Sequence, residues 1–153
     1  MRTNQSMPSS TVIPVLVYPD VAMAVDWLCG AFGFTERLRI GNHRSQLTLG
    51  DGSIIVAARA RGLGGDSKMP GEGRRSHQAE ASRSVMVRVP DVDSHFERAK
   101  KRGAKILQPP ADYPFGERQY TAEDLGGHTW TFSQSIADVA PEKWGGSVVT
   151  PRG

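Results

Sequence analysis

Residues that could bind a metal or move a proton are few and scattered along this 153-residue chain. Its four histidines, His43, His77, His95 and His128, lie far apart and lack the spacing of metal ligands. His128 falls in a predicted hairpin turn, where packing is its expected role, and His95 is expected to be a solvated helix residue. The sequence therefore predicts no metal site built from histidine.

Other catalytic patterns are equally weak. The single cysteine, Cys29, excludes an internal disulfide, and its place in an apolar helix predicts a buried, inert thiol. No nucleophile–base pair, phosphate-binding glycine loop or paired-carboxylate motif stands out. Glu117 and Glu123 share one face of a predicted strand, but that face could equally meet solvent.

Composition excludes several classes of function. The chain is 38% hydrophobic and 23% charged, its net charge is only +3, and its basic residues are dispersed, which argues against nucleic-acid binding. Residues 1–10 have no apolar stretch typical of a secretory signal, and no run is long enough to span a membrane. We expect a soluble, cytoplasmic protein without nucleic-acid or membrane partners.

The tripeptide Pro-Asp-Val occurs twice, at residues 19–21 and 90–92, about half a chain length apart. Each copy follows a short apolar stretch and leads into a segment with helical spacing. This repeat predicts two copies of one small unit, related by a pseudo-twofold axis, with equivalent positions facing each other across a cleft.

The first unit, residues 11–58, begins with an apolar stretch at 12–17 that predicts a strand buried on both faces. Asp20 is suited to cap a helix over Val21–Phe32, which Gly33 ends. Three strands are then predicted, at 37–40, 44–49 and 53–58, with a hairpin turn at 50–52.

The second unit, residues 83–133, repeats this order. Val85, Val87 and Val89 alternate with Ser84, Met86 and Arg88, which predicts a half-buried first strand. Asp91 or Asp93 caps a helix that ends near Arg102. Its three further strands are predicted at 105–108, 117–123 and 128–133.

The two units and the segment between them form one predicted domain over residues 11–142. Residues 1–10 are predicted to be a disordered N-terminus, and the glycine-rich, charged segment 59–82 a linker between the units. Residues 143–153 form the predicted C-terminal tail, preceded by a short helix near 138–143.

Three motifs resemble those of the vicinal oxygen chelate superfamily of glyoxalases, extradiol dioxygenases, and bleomycin- and fosfomycin-resistance proteins. They are the helix end 26–34, the Val-Pro-Asp-Val-Asp run at 89–93, and Asp124-Leu-Gly-Gly-His-Thr-Trp130, in which Leu125 replaces the family's usual proline. Segments 115–118 and 136–139 are similar to an uncharacterised bacterial branch. The resemblance implies an α+β fold of two tandem βαβββ modules that form a curved mixed sheet around a central cavity.

The resemblance also indicates where a metal would bind. Metal-dependent members place one ligand on the first and one on the last strand of each module, which corresponds to Ile13, Val56, Ser84 and Thr131. Aliphatic side chains have no donor atoms, and neutral hydroxyls are weak ligands for Zn²⁺, Ni²⁺ or Fe²⁺. We therefore expect no metal and no other cofactor.

Strand alternation predicts the residues that line the cavity. Trp130 and Phe132 should face the helix-covered core, which leaves their neighbours on the concave side. The predicted ligand-binding residues on this basis, and at the matching positions of the first unit, are Ile13, Val15, Val17, Ser84, Met86, Arg88, Thr131 and Ser133. One apolar wall, one hydroxyl-bearing wall and a guanidinium suit an organic molecule with an anionic or carbonyl group. The alternative is that Arg88 pairs with a carboxylate and the small residues only fill the fold.

Tyr113, Phe115 and Arg118 form a second candidate group, which we place at the mouth of the cavity together with Tyr120. Aromatic side chains there could stack on a flat ligand. Core packing or a dimer contact explains them equally well.

The leading hypothesis is a metal-independent protein that binds or sequesters a small organic ligand, as bleomycin-resistance proteins do. The resemblance also implies a homodimer, for which exposed sheet edges give a physical reason. The alternative is a divalent-metal-dependent lyase, isomerase or dioxygenase of the same superfamily. A structural or interaction domain is a third possibility, based only on the basic linker and tail.

Overall fold

Ten helices and strands follow one another as the repeat predicts, in a computed structural model that describes residues 5–59 and 84–149. The first module contains β1 (Val15–Tyr18), α1 (Val21–Phe32), β2 (Thr35–Ile40), β3 (Arg44–Leu49) and β4 (Gly52–Ala58). The second contains β5 (Ser84–Arg88), α2 (Val92–Lys101), β6 (Lys105–Tyr113), β7 (Glu117–Glu123) and β8 (Thr129–Ser135). A 3₁₀ helix follows at Pro141–Trp144. Apart from Arg59, the predicted linker lies outside the described residues, as does His77.

Each module forms its own four-stranded mixed sheet. The strand orders are β1-β4-β3-β2 and β5-β8-β7-β6, and in each sheet the first strand runs parallel to the last. The prediction of two βαβββ modules is confirmed. Within the described residues the two sheets are not hydrogen-bonded to each other and no barrel closes, so β1 and β5 remain sheet edges.

The two helices begin at the aspartates of the repeated tripeptide. Oδ1 of Asp20 accepts a hydrogen bond from the backbone N–H of Met23 at 3.0 Å, and Oδ1 of Asp91 accepts one from Ser94 at 3.2 Å. Each side chain thus satisfies an N–H group that has no partner inside its helix. Asp91, rather than Asp93, is therefore the N-cap of α2. Among the described residues no helix has the length and apolar character to cross a bilayer.

Two strands differ from their predicted form. The first strand was expected to be buried on both faces, but Val15 and Val17 are 49% and 43% exposed, while Tyr18 is buried. The prediction was wrong because β1 is an edge strand whose second face has no helix over it. Conversely, β6 extends beyond its predicted end through Pro109 and Pro110, which an edge strand accommodates because their missing N–H groups need no partner.

Aromatic side chains hold the modules together on the helix side of the sheets. The ring of Phe32, at the end of α1, lies 5.3 Å from that of Trp130 and 4.8 Å from that of Phe132, both on β8. All three side chains are fully buried. The core of the second module is therefore completed by a residue of the first.

His95 belongs to this inter-module core, so the expectation of a solvated helix residue was wrong. Its Nε2 donates to the carbonyl oxygen of Phe32 at 2.9 Å, and its Nδ1 lies 2.5 Å from the hydroxyl of Tyr120. Its ring centroid is 4.1 Å from that of Phe132. Burial, followed by the nearby charge of Arg98, lowers the pKa of His95, and the hydrogen bond to Phe32 opposes this shift.

A buried carboxylate makes a second connection between the modules. Oδ2 of Asp124 accepts hydrogen bonds from the hydroxyl of Tyr18 at 2.6 Å and from Nε1 of Trp130 at 2.9 Å. Its Oδ1 accepts the backbone N–H groups of Gly126 at 2.8 Å and His128 at 2.9 Å. Tyr18 comes from the first module, so this network fixes the end of β1 against the last hairpin of the second.

The lowered pKa of His95 predicts a pH-dependent stability. As the pH falls through about 6.5, the usual imidazole pKa, the unfolded chain takes up a proton that the folded chain resists, so the free energy of unfolding falls. We expect urea midpoints to drop between pH 7 and pH 5, and less so in His95→Gln. His43→Gln, at an exposed position, is the control and should behave as wild type. An undiminished pH dependence in His95→Gln would contradict the assignment.

Tyr18→Phe tests the inter-module network. Loss of a buried hydrogen bond to a carboxylate should lower the free energy of unfolding by about 1.5–3 kcal/mol, as measured by urea denaturation. Tyr113→Phe removes the exposed hydrogen bond that Gln108 donates at 2.6 Å and serves as the matched control. It should cost less than about 0.5 kcal/mol, since surface changes usually do. Equal losses in the two variants would show that the network is not a special stabilising contact.

Candidate functional site

A seam runs between the two modules, where β1 faces β5 without hydrogen bonding to it. Two cavities open along this seam. The smaller, about 300 Å³, is lined in part by Pro14, Met86 and Arg88. The larger, about 480 Å³, is lined by Pro14, Val15, Leu16, Val17, Ser84, Val85, Met86 and His128. Five predicted site residues therefore meet here: Val15, Val17, Ser84, Met86 and Arg88.

Ile13 is placed differently from the other predicted residues of the first module. It precedes β1, lies outside any strand and is half-buried. Its neighbours Val12 and Pro14 line the smaller cavity instead. The structure therefore places Ile13 beside the seam without bringing it to either cavity.

Thr131 and Ser133 extend the site onto the face of the second sheet that lies away from the helices. On β8 they pair with Met86 and Arg88 of β5, respectively. Nε2 of Gln119 donates to Oγ of Ser133 at 3.1 Å, and Ser133 also donates to the carboxylate of Glu117. The hydroxyls of Thr121 and Thr131 lie 3.1 Å apart. The half-buried side chains of Glu117, Gln119, Thr121 and Thr131 form a polar surface, which we call the open face. Ser133 is only 3% exposed and lies beneath its partners on this face.

Gln119 and Thr121 were missed by the sequence reasoning. Both lie on β7, opposite Ser133 and Thr131. Strand alternation in β7 could have found them, because Tyr120 between them and Ala122 after them are fully buried in the core. The signal was present in the sequence but depended on the register between β7 and β8.

Arg88 stands at the end of the open face with no partner among the residues that the structure describes. No hydrogen bond or ion pair from its guanidinium reaches residues 5–59 or 84–149, and the side chain is exposed. It borders the smaller seam cavity and also a larger groove of about 810 Å³ on the helix side. Within this part of the chain, the alternative that Arg88 pairs with a carboxylate finds no support.

Tyr113, Phe115 and Arg118 lie away from the seam. Phe115 stacks on Tyr113 with ring centroids 5.4 Å apart and meets the edge of Trp144 at 5.5 Å. Arg118 forms ion pairs of 2.9 Å with Asp93 on α2 and 2.8 Å with Asp112, which places it on the helix side of the sheet. The structure thus does not bring this group together with the seam residues.

Part of the predicted disordered N-terminus lies against the first sheet. Nε2 of Gln46 donates to the carbonyl oxygen of Ser6 at 2.7 Å, and the hydroxyl of Ser10 lies 2.8 Å from that of Ser53. Pro8 is buried in the same segment. Gln46 and Ser53 are themselves buried although they face away from α1, because residues 5–10 cover that face.

The positions that would hold the family's metal do not fit a divalent ion. Val56, which the sequence aligned with a ligand position, is fully buried in the helix-side core, and its neighbours Ile55 and Ala57 face the other way. None of the three offers a donor, and Ser84 and Thr131 offer only neutral hydroxyls. Among residues 5–59 and 84–149 no group of three or more histidine, cysteine, aspartate or glutamate side chains is arranged to bind a metal.

Cys29 is a half-buried residue that packs partly against the core. Burial raises the pKa of its thiol, with the carboxylates of Glu36 and Asp26 acting in the same direction. A thiol that resists ionisation is a poor nucleophile, which agrees with the inert role expected from the sequence.

The imidazole of His128 lines the larger seam cavity, which Arg88 does not reach. The residue is only 3% exposed, and its ring packs on Tyr18 with centroids 4.6 Å apart. Its Nδ1 lies 3.4 Å from Oδ1 of Asp124. Burial works against the charge of Asp124, but the nearby ring and the backbone N–H of His128, together with the hydrogen bonds from Tyr18 and Trp130, outweigh it and hold the pKa of this carboxyl below its usual range.

Comparison with known proteins gives relatives over most of the chain. The crystal structure of TioX from Micromonospora sp. ML1 has 36% sequence identity and a TM-score of 0.65, over 84% of this chain and 100% of that one. An uncharacterised protein of Mycobacterium bovis is 29% identical in an alignment of 139 residues that covers 82% of this chain and 84% of that protein.

A more distant structure shares the fold alone. The fosfomycin resistance protein FosX from Mesorhizobium loti has 15% identity and a TM-score of 0.57, over 84% of this chain and 93% of that one.

The family model described as the Glyoxalase/Bleomycin resistance protein/Dioxygenase superfamily matches residues 11–132. The chain belongs to the glyoxalase/bleomycin resistance/dioxygenase superfamily.

Proposed function

We propose that this chain is a metal-independent small-molecule-binding protein that holds an organic ligand in the seam and over the open face. The observation that carries the proposal is Arg88, an exposed guanidinium without a partner among the described residues, beside a polar surface and an apolar wall. Binding rather than bond breaking follows because the described part of the chain shows no hydrogen-bonded nucleophile and base at the seam and no metal-ligand set.

The seam supports a ligand of mixed character. Val15, Val17 and Met86 are 49%, 43% and 66% exposed and offer apolar contact, which releases water when a ligand covers them. The open face adds hydroxyl and amide groups, and Arg88 adds a planar cation that can bond two oxygens at once. A largely apolar organic molecule with a carboxylate or carbonyl group can contact the apolar residues, the open face and Arg88 together.

Protection by sequestration is the role we propose for such binding. The superfamily includes proteins of bleomycin resistance, and the structural neighbour FosX is a fosfomycin resistance protein. A protein without a metal site can still protect a cell by binding a toxic molecule tightly. The ligand's identity depends on the loops that border the seam.

We also propose a homodimer formed through the edges of β1 and β5. Neither edge is paired in the described residues, and an unpaired edge presents a row of backbone N–H and C=O groups that another strand can bind. Exposed Val12, Val15, Val17 and Met86 lie along the same seam, so a second copy would enclose the ligand against this apolar surface. The two related edges suit a twofold arrangement.

Metal content tests the central part of the proposal. The purified, untagged protein, examined by mass spectrometry before and after incubation with Ni²⁺, Zn²⁺, Mn²⁺ and Fe²⁺, should retain less than about 0.1 ion per chain, since the candidate positions carry no strong donors. One tightly held ion per chain would contradict metal independence. The metal-dependent lyase, isomerase or dioxygenase would then be the better description.

Arg88→Ala tests the binding role. A library of organic carboxylates and ketones is screened against wild type by thermal shift, and the affinity of each hit is measured by calorimetry. Loss of the charge-assisted hydrogen bonds should weaken binding about 10- to 100-fold, since each is worth about 1.5–3 kcal/mol. Lys101→Ala, which removes the same charge from an exposed position on α2, should leave affinity unchanged. Equal affinity in Arg88→Ala and wild type would overturn the assignment.

The dimer has a direct test in light scattering coupled to size-exclusion chromatography. Wild type should elute with twice the 16.6 kDa chain mass. Met86→Lys places a charge on the proposed interface and should give the monomer. Met23→Lys, at an exposed position of α1, should remain dimeric. A monomeric wild type at micromolar concentration would refute the proposed assembly.

A further inference from the structure

His128 carries the only buried side-chain nitrogen or oxygen, among the residues described, that has no hydrogen-bond partner. This atom is Nδ1, in a residue that is 3% exposed. It lies within ion-pair distance of Oδ1 of Asp124, at 3.4 Å, but without hydrogen-bond geometry. Buried polar atoms are nearly always paired, so this nitrogen requires an explanation.

The neighbouring carboxylate decides which ring nitrogen of His128 carries the proton. Asp124 already accepts hydrogen bonds from Tyr18, Trp130 and two backbone N–H groups, all of which favour its charged form. A lone pair on Nδ1 would face this negative charge and be repelled, whereas an N–H bond there is attracted. The neutral imidazole is therefore held with its proton on Nδ1 and its lone pair on Nε2.

Nε2 is the ring nitrogen that is turned away from Asp124. His128 lines the 480 Å³ seam cavity, and its Nδ1 side is turned toward Asp124 and the hairpin turn. Nε2 makes no hydrogen bond within residues 5–59 and 84–149 and is not counted among the fully buried atoms without a partner. An acceptor nitrogen, oriented by a carboxylate behind it, thus faces a cavity with largely apolar walls.

We propose that Nε2 of His128 is the hydrogen-bond acceptor for a ligand in the larger seam cavity, and that this cavity takes an apolar molecule bearing a hydroxyl or N–H donor, such as a phenol. The inference rests on the proposed function and adds a recognition element to the same seam. The apolar walls contact the body of the molecule, and the hydroxyl of Ser84 is a second polar group in the lining. Asp124 is a positioning residue, because it acts on the ligand only through the imidazole.

Nuclear magnetic resonance of the ¹⁵N-labelled full chain tests the proposal. A long-range ¹H–¹⁵N spectrum of the histidine rings reports which nitrogen is protonated, and we expect Nδ1 for neutral His128. Addition of phenol should shift the Nε2 resonance of His128, because the phenol hydroxyl donates to it. Toluene is the matched molecule without a donor and should shift the methyl resonances of Val15 and Val17 but not Nε2. The ring of His43, which is exposed and lines neither seam cavity, should respond to neither.

His128→Phe supplies the matching affinity measurement. The ratio of phenol to toluene affinity should fall at least fivefold in this variant, because the ring is kept and the acceptor is lost. If His128→Phe fails to fold, the wild-type spectra, assigned by through-bond correlations, decide the question alone.

The outcomes separate this inference from the proposed function. Shifts of the valine methyls by both molecules with an unchanged Nε2 would overturn the role of His128 and leave seam binding intact. Protonation of Nε2 in the neutral ring would overturn it as well. No response to either molecule at any seam residue would count against both proposals.

Discussion

The buried carboxylate of Asp124 is the contact on which the arrangement of the two modules depends. A charge removed from water is tolerated only where hydrogen bonds replace the lost solvation, and four donors converge on this group. One of them, Tyr18, belongs to the other module. The carboxylate can therefore be satisfied only when the end of β1 lies against the β7–β8 hairpin, which sets the position of the seam.

The helix side and the open side of the sheets have different tasks. On the helix side, Phe32 and His95 interlock with β8 and leave little freedom between the modules. On the open side, the edges of β1 and β5 are not hydrogen-bonded to each other, and half-buried polar side chains are accessible to a ligand. A rigid support behind an adaptable surface is an arrangement typical of small-molecule sites.

Much of the fold was predictable from the sequence because local signals were strong and consistent. Asp20 and Gly33 mark the ends of α1, and alternation in β8 separates Trp130 and Phe132 from the open face. The burial of β1 was not predictable in this way, since four apolar residues in a row look the same in an edge strand and a central one. The extension of β6 past Pro109 was not predicted either, because proline usually indicates the end of a strand.

The candidate site was predictable only where it follows from strand alternation. Met86 and Arg88 line the smaller seam cavity. Arg118 lies on the helix side, on the same face of β7 as buried Tyr120 and Ala122, and pairs there with carboxylates of α2 and β6. The roles of His95 and His128 could not be read from spacing. His95 bonds Phe32 and the ring of His128 packs on Tyr18, both far along the chain, and such contacts exist only once the modules are packed.

The packing of Phe32 shows that the repeat is symmetrical in its strands but not in its interior. The first module supplies a ring that the second cannot replace with one of its own, and it also supplies the hydroxyl that Asp124 needs. A chain assembled from two copies of the second module would keep every strand and helix yet lack both contributions. The two modules are thus complementary rather than interchangeable, and the sequence of either module alone does not specify the packing of the whole domain.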